Sequence, residues 1–340
     1  MPTTSPALDT TVETVRGAVP TESLGRVLMH EHVFILTPEI VENYAAVIGW
    51  DEEQRIEDAV RRLNAVAATG IDTIVDLTVL GMGRSLSRVQ RINERVDLNI
   101  VAATGLYTFD LLPPFLSYVG PGAALDRVDP LVEMFIRDIT VGIADTGVKA
   151  GIFKCATDAP GITPNVDRVL RAVAQAHRET GVPISTHTDA HNRRGLEQQD
   201  LFESEGVDLS RVVIGHCGDT TDTDYLRAVA DRGSYLGMDR FGMNDGDQWT
   251  FEARAAVVVE MCELGYASQM VLSHDAQCWI DWLPPEMAAG TPLDYPDREF
   301  SHLTTKVLPV LRERGVTEEQ ITAMLVDNPA KVLAASKGGY

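Results

Sequence analysis

The chain has 340 residues, of which 44% are apolar and 23% charged, and its formal net charge is −21. That length admits one large domain or two ordinary ones, with apolar content ample for a sizeable core. The acidic balance, with arginines dispersed rather than blocked, argues against nucleic acid and anionic membranes as partners, and no apolar run reaches the length of a membrane span.

The opening MPTTSPALDT has no basic region followed by an apolar stretch, so a cytoplasmic location is expected. The first 20 or so residues, with TVETVRGAVP, read as a short hairpin or cap. Apolar, often β-branched runs then recur at 28–34, 73–78, 99–107, 150–157, 182–188, 211–217, 234–239 and 270–275. Most are continuous rather than alternating, as strands buried on both faces of a parallel sheet are. Helical periodicity fills the intervals, clearest at 51–70, 165–181, 222–233 and 249–265, each segment ending in a glycine. The tail from 316 to 336 reads as one or two closing helices broken around Asn328-Pro329. Eight strand-then-helix units predict an α/β fold: one (β/α)8 TIM barrel domain over 1–340, with a short N-terminal cap and C-terminal helices. A doubly wound sheet explains fewer of these features, because it gathers ligands at one switch point rather than around a rim. Four cysteines, Cys155, Cys217, Cys262 and Cys278, form no CxxC. A reduced intracellular chain is expected, with one or two disulfides left open.

Six residues that can carry chemistry close these strand runs. His30 and His32 lie two apart, so a strand puts both imidazoles on one face. Such a pair suits Zn²⁺ or a similar ion, although alone it is as readily a pair of core histidines. His187 and His216 close the fifth and sixth runs, each followed by polar loop residues, which favours ligation over a bond to a neighbouring carbonyl. Lys154 lies within a buried strand, where an amine is costly unless paired or chemically changed. As a neutral amine it can add CO₂, giving a carbamate whose two oxygens bridge two cations; otherwise it snorkels to the rim. Asp275 closes the eighth run and can hold a metal and accept a proton, or cap the next segment. His177 falls in a helical pattern, His191 in a loop and His302 at a helix start, and His274 should face away from Asp275.

From MHEH to VDNPAKVL the pattern resembles the phosphotriesterase family of the amidohydrolase superfamily. The resemblance implies two divalent metals, Zn, Co, Mn or Fe. His30, His32 and Asp275 hold the buried ion, His187 and His216 the exposed one, and carboxylated Lys154 bridges them. It further implies attack of a hydroxide held between the metals, with Asp275 taking its proton. Tyr107 in ATGLY and Arg240 in YLGMDRFG are similar to the lactonase branch, and the whole chain looks most like actinobacterial quorum-quenching N-acyl-homoserine lactonases. In that branch Tyr107 lies beside the metals and Arg240 belongs to the lactone site, catalytic residues together with Asp275. Classical phosphotriesterases carry a histidine in place of Arg240, in a proton relay with an aspartate matching Asp219; weak promiscuous phosphotriesterase activity is therefore expected here. Phe241, Met243, Trp249, Trp279, Trp282 and Leu283 cluster in the last two loops and are expected to form a groove for a medium to long acyl chain. The alternative main activity is organophosphate hydrolysis. An amidase or dihydroorotase-like hydrolase, a non-catalytic sensor on the same barrel and a purely structural metal site have less to support them. The small-molecule partner expected is a lactone, and family likeness implies a homodimer.

Overall fold

The computed structural model describes residues 11–243, 249–282 and 299–334. It begins with a hairpin of β1 (Thr11–Thr14) and β2 (Gly17–Pro20), the expected cap. The apolar runs then become β3 (Val27–Ile35), β4 (Thr73–Asp76), β5 (Asn99–Gly105), β6 (Ile152–Ala156), β7 (Ile184–His187), β8 (Val212–Ile214), β9 (Tyr235–Met238) and β10 (Met270–Leu272). Neighbours in sequence pair in parallel from β3 through to β10, with no reversal of strand order. The doubly wound alternative is thereby set aside: this is a curled parallel sheet of the (β/α)8 TIM-barrel kind with N- and C-terminal extensions.

Sequence reading missed one strand. β11 (Gln277–Ile280) pairs in parallel with the free edge of β3. It continues the line of β10 after a kink at Asp275, whose φ is 55°. The first half of this broken strand bonds β9 and the second half bonds β3. Across the gap the Asp275 N–H donates to the His30 carbonyl at 3.0 Å and the His32 N–H to Ala276 at 2.9 Å, closing the ring.

Helices occupy the intervals: α1 (Pro38–Tyr44), α2 (Glu52–Ala67), α3 (Leu86–Asn93), α4 (Pro114–Tyr118), α5 (Pro130–Thr140), α6 (Pro164–Thr180), α7 (Arg194–Ser204), α8 (Thr223–Asp231) and α9 (Phe251–Glu263). Their limits follow local chemistry. Asp51 caps α2 by accepting the Gln54 N–H at 3.0 Å, and Thr163 caps α6 through Val166. Gly181 ends α6 at φ 71°, the left-handed conformation glycine takes without cost. Val166, Val169, Leu170 and Val173 give α6 one buried stripe against the sheet.

The core has two layers. Leu28, Ile74, Ile100, Phe153 and Ile184 face the helices. Val27, Met29, Val75, Val101, Ile152 and Val213 fill the barrel, closed below by Val12 of the cap and by Val332 and Leu333 of the tail. Strand alternation sorts residues between the layers. On β3 the register shifts between Leu28 and Glu31. This bulge lets Met29 and His30 both point inward, and so turns the HxH pair to the barrel interior.

The tail differs from expectation. Residues 318–333 are helical throughout, with a wide π turn over Ala323–Asp327 directly before Asn328-Pro329. A second such turn, Leu303–Val307, precedes Leu308-Pro309. The wider turn removes the clash between a proline ring and the carbonyl behind it, so the helix bulges instead of breaking. Asn328 then donates to the carbonyls of Ala267 at 2.9 Å and Met270 at 2.8 Å, fastening the tail beneath β10. All four cysteines are buried and free. No helix among the described residues is long and apolar enough to cross a membrane.

His177 supports the fold and lies outside the site. It is buried in α6, its Nδ1 is 2.7 Å from the Val182 carbonyl, and burial holds it down at about 4 from an ordinary 6.5. A folded-state value below the unfolded one means its contribution is present above pH 6.5 and is lost as pH falls toward about 4. The loss is on the order of 3 kcal/mol. We expect urea unfolding across this window to show a shallower pH slope in His177→Asn than in wild type; equal slopes would remove this histidine from the acid transition.

Candidate metal centre

Strand ends deliver the side chains to one rim. At this rim β3, β6, β7 and the turns after β8 and β10 carry His30, His32, Lys154, His187, His216 and Asp275, and all are buried. His30 Nε2 lies 2.9 Å from Lys154 Nζ and 3.8 Å from Asp275 Oδ1; His32 Nε2 lies 3.2 Å from the same oxygen. His187 Nδ1 and His216 Nε2 face each other at 2.9 Å, and the His216 and His30 rings stack at 4.8 Å. All six residues predicted from sequence therefore meet. Backbone geometry at two of them is unusual: His216 and Asp275 hold φ of 59° and 55°. A left-handed residue costs about 1–2 kcal/mol, least for Asp, and persists where surrounding bonds over-determine it. Close strand approach helps to form the rim. Gly105, at φ 139°, lies so near the Lys154 carbonyl that a Cβ would fall 1.8 Å from its oxygen.

The outer nitrogens of the four imidazoles are held by oxygen atoms. Asp239 takes His30 Nδ1 at 2.8 Å and His216 Nδ1 at 2.9 Å, and accepts the His216 backbone N–H at 2.9 Å. His32 Nδ1 meets Thr78 Oγ1 at 3.0 Å, and that hydroxyl donates to Asp76 at 2.6 Å. Asp158 takes His187 Nε2 at 2.9 Å. Such partners choose the tautomer and aim the free nitrogen inward. Sequence reading missed Asp239 and Asp158. Asp239 closes the seventh apolar run, so the strand-end rule that selected Asp275 applies to it equally. Asp158 lies beyond its strand and carried no comparable signal.

The electrostatics suit cations. Burial depresses His30 and His216 well below their usual range and brings His187 to about 4, so the rings are neutral donors. Burial lowers Lys154 to about 8. Burial, then the neighbouring Asp275 charge, pushes Asp239 well up. Burial also opposes ionisation of Asp275, but the His32 bond with His30 and Arg240 outweighs it and leaves the carboxylate well below normal. Among the described residues, two buried triads have donor atoms close enough for an ion: His30, His32 and Asp275, and His30, His216 and Asp239. In the second triad Asp239 sits on the outer nitrogens, so it aims ligands; the inward pair His187–His216 is the better second seat. Neutral imidazoles, a carboxylate and an amine able to become a carbamate fit two borderline divalent ions.

Around this centre Arg240 spans two carboxylates, its Nε donating to Asp275 at 3.1 Å and its Nη1 to Asp219 at 2.7 Å; Arg254 also holds Asp219. Tyr107 packs on His187 at 5.5 Å, with Phe109 at 5.1 Å and Trp282 at 5.9 Å from its ring. Burial raises the Tyr107 hydroxyl above its ordinary range, leaving it a neutral donor. The expected acyl groove is only partly assembled. Trp282 joins the rim cluster, and Phe109 joins it unforeseen. Phe241 is buried between sheet and helices. Trp279 pairs in register with outward-facing Phe34 and stacks 3.4 Å beneath the Arg55 guanidinium of α2, so it leaves the groove. Trp249 meets His191 at 6.4 Å, Met243 is half-buried with its carbonyl on Arg254, and Leu283 lies outside the described residues.

A family model described as "Phosphotriesterase family" matches residues 10–333. A "Phosphotriesterase homology protein" of Mycobacterium tuberculosis is 54% identical over 329 residues, covering 97% of this chain and 99% of its own. An "Aryldialkylphosphatase" of Saccharolobus solfataricus is 36% identical over 320 residues, covering 93% and 97%. The solved structure described as the phosphotriesterase from Mycobacterium tuberculosis superposes with a TM-score of 0.92 at 54% identity, covering 97% of this chain and 100% of that one.

Proposed function

Because the chain belongs to the phosphotriesterase family, we propose that it opens lactones, N-acyl-homoserine lactones of medium to long acyl chain first among them, in the manner of a quorum-quenching enzyme. It is a metal-dependent hydrolase of the phosphotriesterase type; the substrate class and the carboxylation of Lys154 are the proposal. The observation that carries the lactone reading is Arg240 bonded to both Asp275 and Asp219, where a proton relay to Asp219 would need a titrating group. An arginine stays charged and cannot pass a proton on.

The residues divide the work. His30, His32, Asp275, His187 and His216 would hold two divalent ions, with Lys154 as a carbamate between them. When bound, the ions supply a hydroxide at neutral pH and polarise the carbonyl oxygen of the substrate. Asp275 accepts the proton of the attacking oxygen and hands it to the ring oxygen as the carbonyl carbon–oxygen bond breaks, giving the open hydroxy acid. Arg240 keeps Asp275 ionised and oriented. Tyr107 donates toward the ring, and Phe109 and Trp282 give the acyl chain an apolar wall. Zn, Co, Mn and Fe all suit this donor set.

Organophosphate hydrolysis is the second reading, and the comparisons favour it more directly, since the relatives' names refer to phosphate esters rather than lactones. Metal-quantified protein assayed in parallel on homoserine lactones from C4 to C12, simple γ- and δ-lactones and paraoxon decides between them. We expect kcat/KM for the lactones to exceed that for paraoxon by about 10²-fold or more. It should also rise with chain length, by at most roughly fourfold per methylene at about 0.8 kcal/mol each. Paraoxon as the better substrate would establish the second reading, and a flat chain-length series would remove the apolar wall.

A further inference from the structure

Glu31 stands between the two metal-facing histidines and is fully buried. Its oxygens collect four donors from the stretch that carries Asp275. Oε1 accepts the Ser273 hydroxyl at 2.8 Å, the His274 N–H at 3.0 Å and His274 Nδ1 at 2.6 Å, while Oε2 accepts the Ala276 N–H at 2.8 Å. Asp275 is the residue between these anchors, and its own N–H goes to the His30 carbonyl. The Ser273 hydroxyl is also the acceptor for the His30 N–H, at 2.9 Å. The far side of His274 is engaged as well, because its Nε2 accepts the Leu303 N–H at 2.8 Å. With Nε2 accepting, Nδ1 must carry the proton, so both ring nitrogens are committed.

This stretch lies where β10 has ended and β11 has not begun, so no regular ladder holds it. The left-handed turn at Asp275 aims the flanking N–H groups of His274 and Ala276 at one carboxylate. We propose that Glu31 is a positioning residue for Asp275, acting through Ser273, His274 and Ala276. The inference rests on the reading of Asp275 as metal ligand and proton acceptor. Glu31 belongs to neither of the two triads whose donor atoms lie close enough to hold an ion. It fixes where the Asp275 carboxylate stands relative to His30 and His32, the residues on either side of Glu31 itself.

The test uses metal-loaded enzyme and three variants, with a substrate that wild type turns over. Glu31→Gln replaces one acceptor oxygen by a donor. It should lower kcat by roughly 10–100-fold and speed loss of metal to a chelator by a similar factor, with KM moved by less than about twofold. His274→Asn keeps a donor where Nδ1 stood and gives up Leu303; His274→Gln keeps an acceptor where Nε2 stood and gives up Glu31. Positioning predicts that the Asn variant stays near wild type in kcat and metal retention while the Gln variant falls toward Glu31→Gln. A merely structural role predicts that both His274 variants lose thermal stability alike and keep wild-type kcat in the folded fraction, which would overturn the proposal. Wild-type kcat and chelator kinetics in Glu31→Gln would overturn it too. If that variant does not fold, the His274 pair decides alone. Wild-type protein that takes up no metal overturns the underlying reading and this inference together; wild type that takes up metal, with unaltered variants, overturns this inference alone.

Discussion

Asp275→Asn should lower kcat by about 10³-fold or more. The carboxylate meets His32 Nε2 at 3.2 Å through Oδ1 and Arg240 Nε at 3.1 Å through Oδ2. An amide of the same shape cannot satisfy both sides. With its NH₂ toward Arg240, two donors oppose each other; turned the other way, the NH₂ faces the nitrogens and any cation they hold. Either orientation also removes the negative charge that offsets the ions and the Arg240 guanidinium. The proton of the attacking oxygen then has no acceptor at that point, and this accounts for most of the loss. Metal content measured beside kcat separates the two causes. An Asn variant that retains two ions and remains slow isolates the proton-transfer role. One that retains both ions and falls by less than about threefold shows that another group accepts the proton.

Much of this centre was legible because a parallel barrel turns a local pattern into a spatial one. The continuous apolar run that ends in His187 needs only the rule that strand ends share a rim. Helix limits were equally local, as at Asp51 and Gly181. What stayed hidden depends on register. The bulge that turns His30 inward comes from how β3 pairs with β4, and no residue in MHEH announces it. The kink that splits the last barrel strand occurs at an aspartate rather than a glycine, and long-range bonds to Glu31 and His30 hold it. Once β11 bonds β3, alternation sends Trp279 out to Arg55 and Ile280 inward. A list of aromatic residues in one loop could not anticipate that division. Asp239 ends its apolar run just as Asp275 does. Its ligand-aiming role is visible only in space, where it meets the outer nitrogens of His30 and His216.

Lys154→Met should reduce bound metal from two ions per chain to one or none and lower kcat by about 10³-fold or more, while leaving the metal-free fold as stable as wild type or more so. The opposite signs follow from the position of the amine. Lys154 is 1% exposed, with Nζ 2.9 Å from His30 Nε2 and 3.2 Å from the Thr186 carbonyl. No carboxylate lies among those direct partners, so the metal-free fold carries a buried amine whose desolvation is poorly compensated. Methionine fills similar volume without that penalty. With metal present the balance reverses. Addition of CO₂ forms a nitrogen–carbon bond, releases a proton and turns a basic group into an anion with two oxygen donors. Methionine offers neither charge nor oxygen, so the stabilisation that tightly bound ions give the native state is lost. Thermal unfolding with and without added metal should therefore show a large metal-dependent shift in wild type and a small one in the variant. Carbon-13 carbonate supplied during reconstitution should label one carbamate per wild-type chain and none in the variant. Two ions, full turnover and no carbamate signal in wild type would end the bridging role. The same ions and turnover in Lys154→Met would show that the imidazoles and Asp275 suffice.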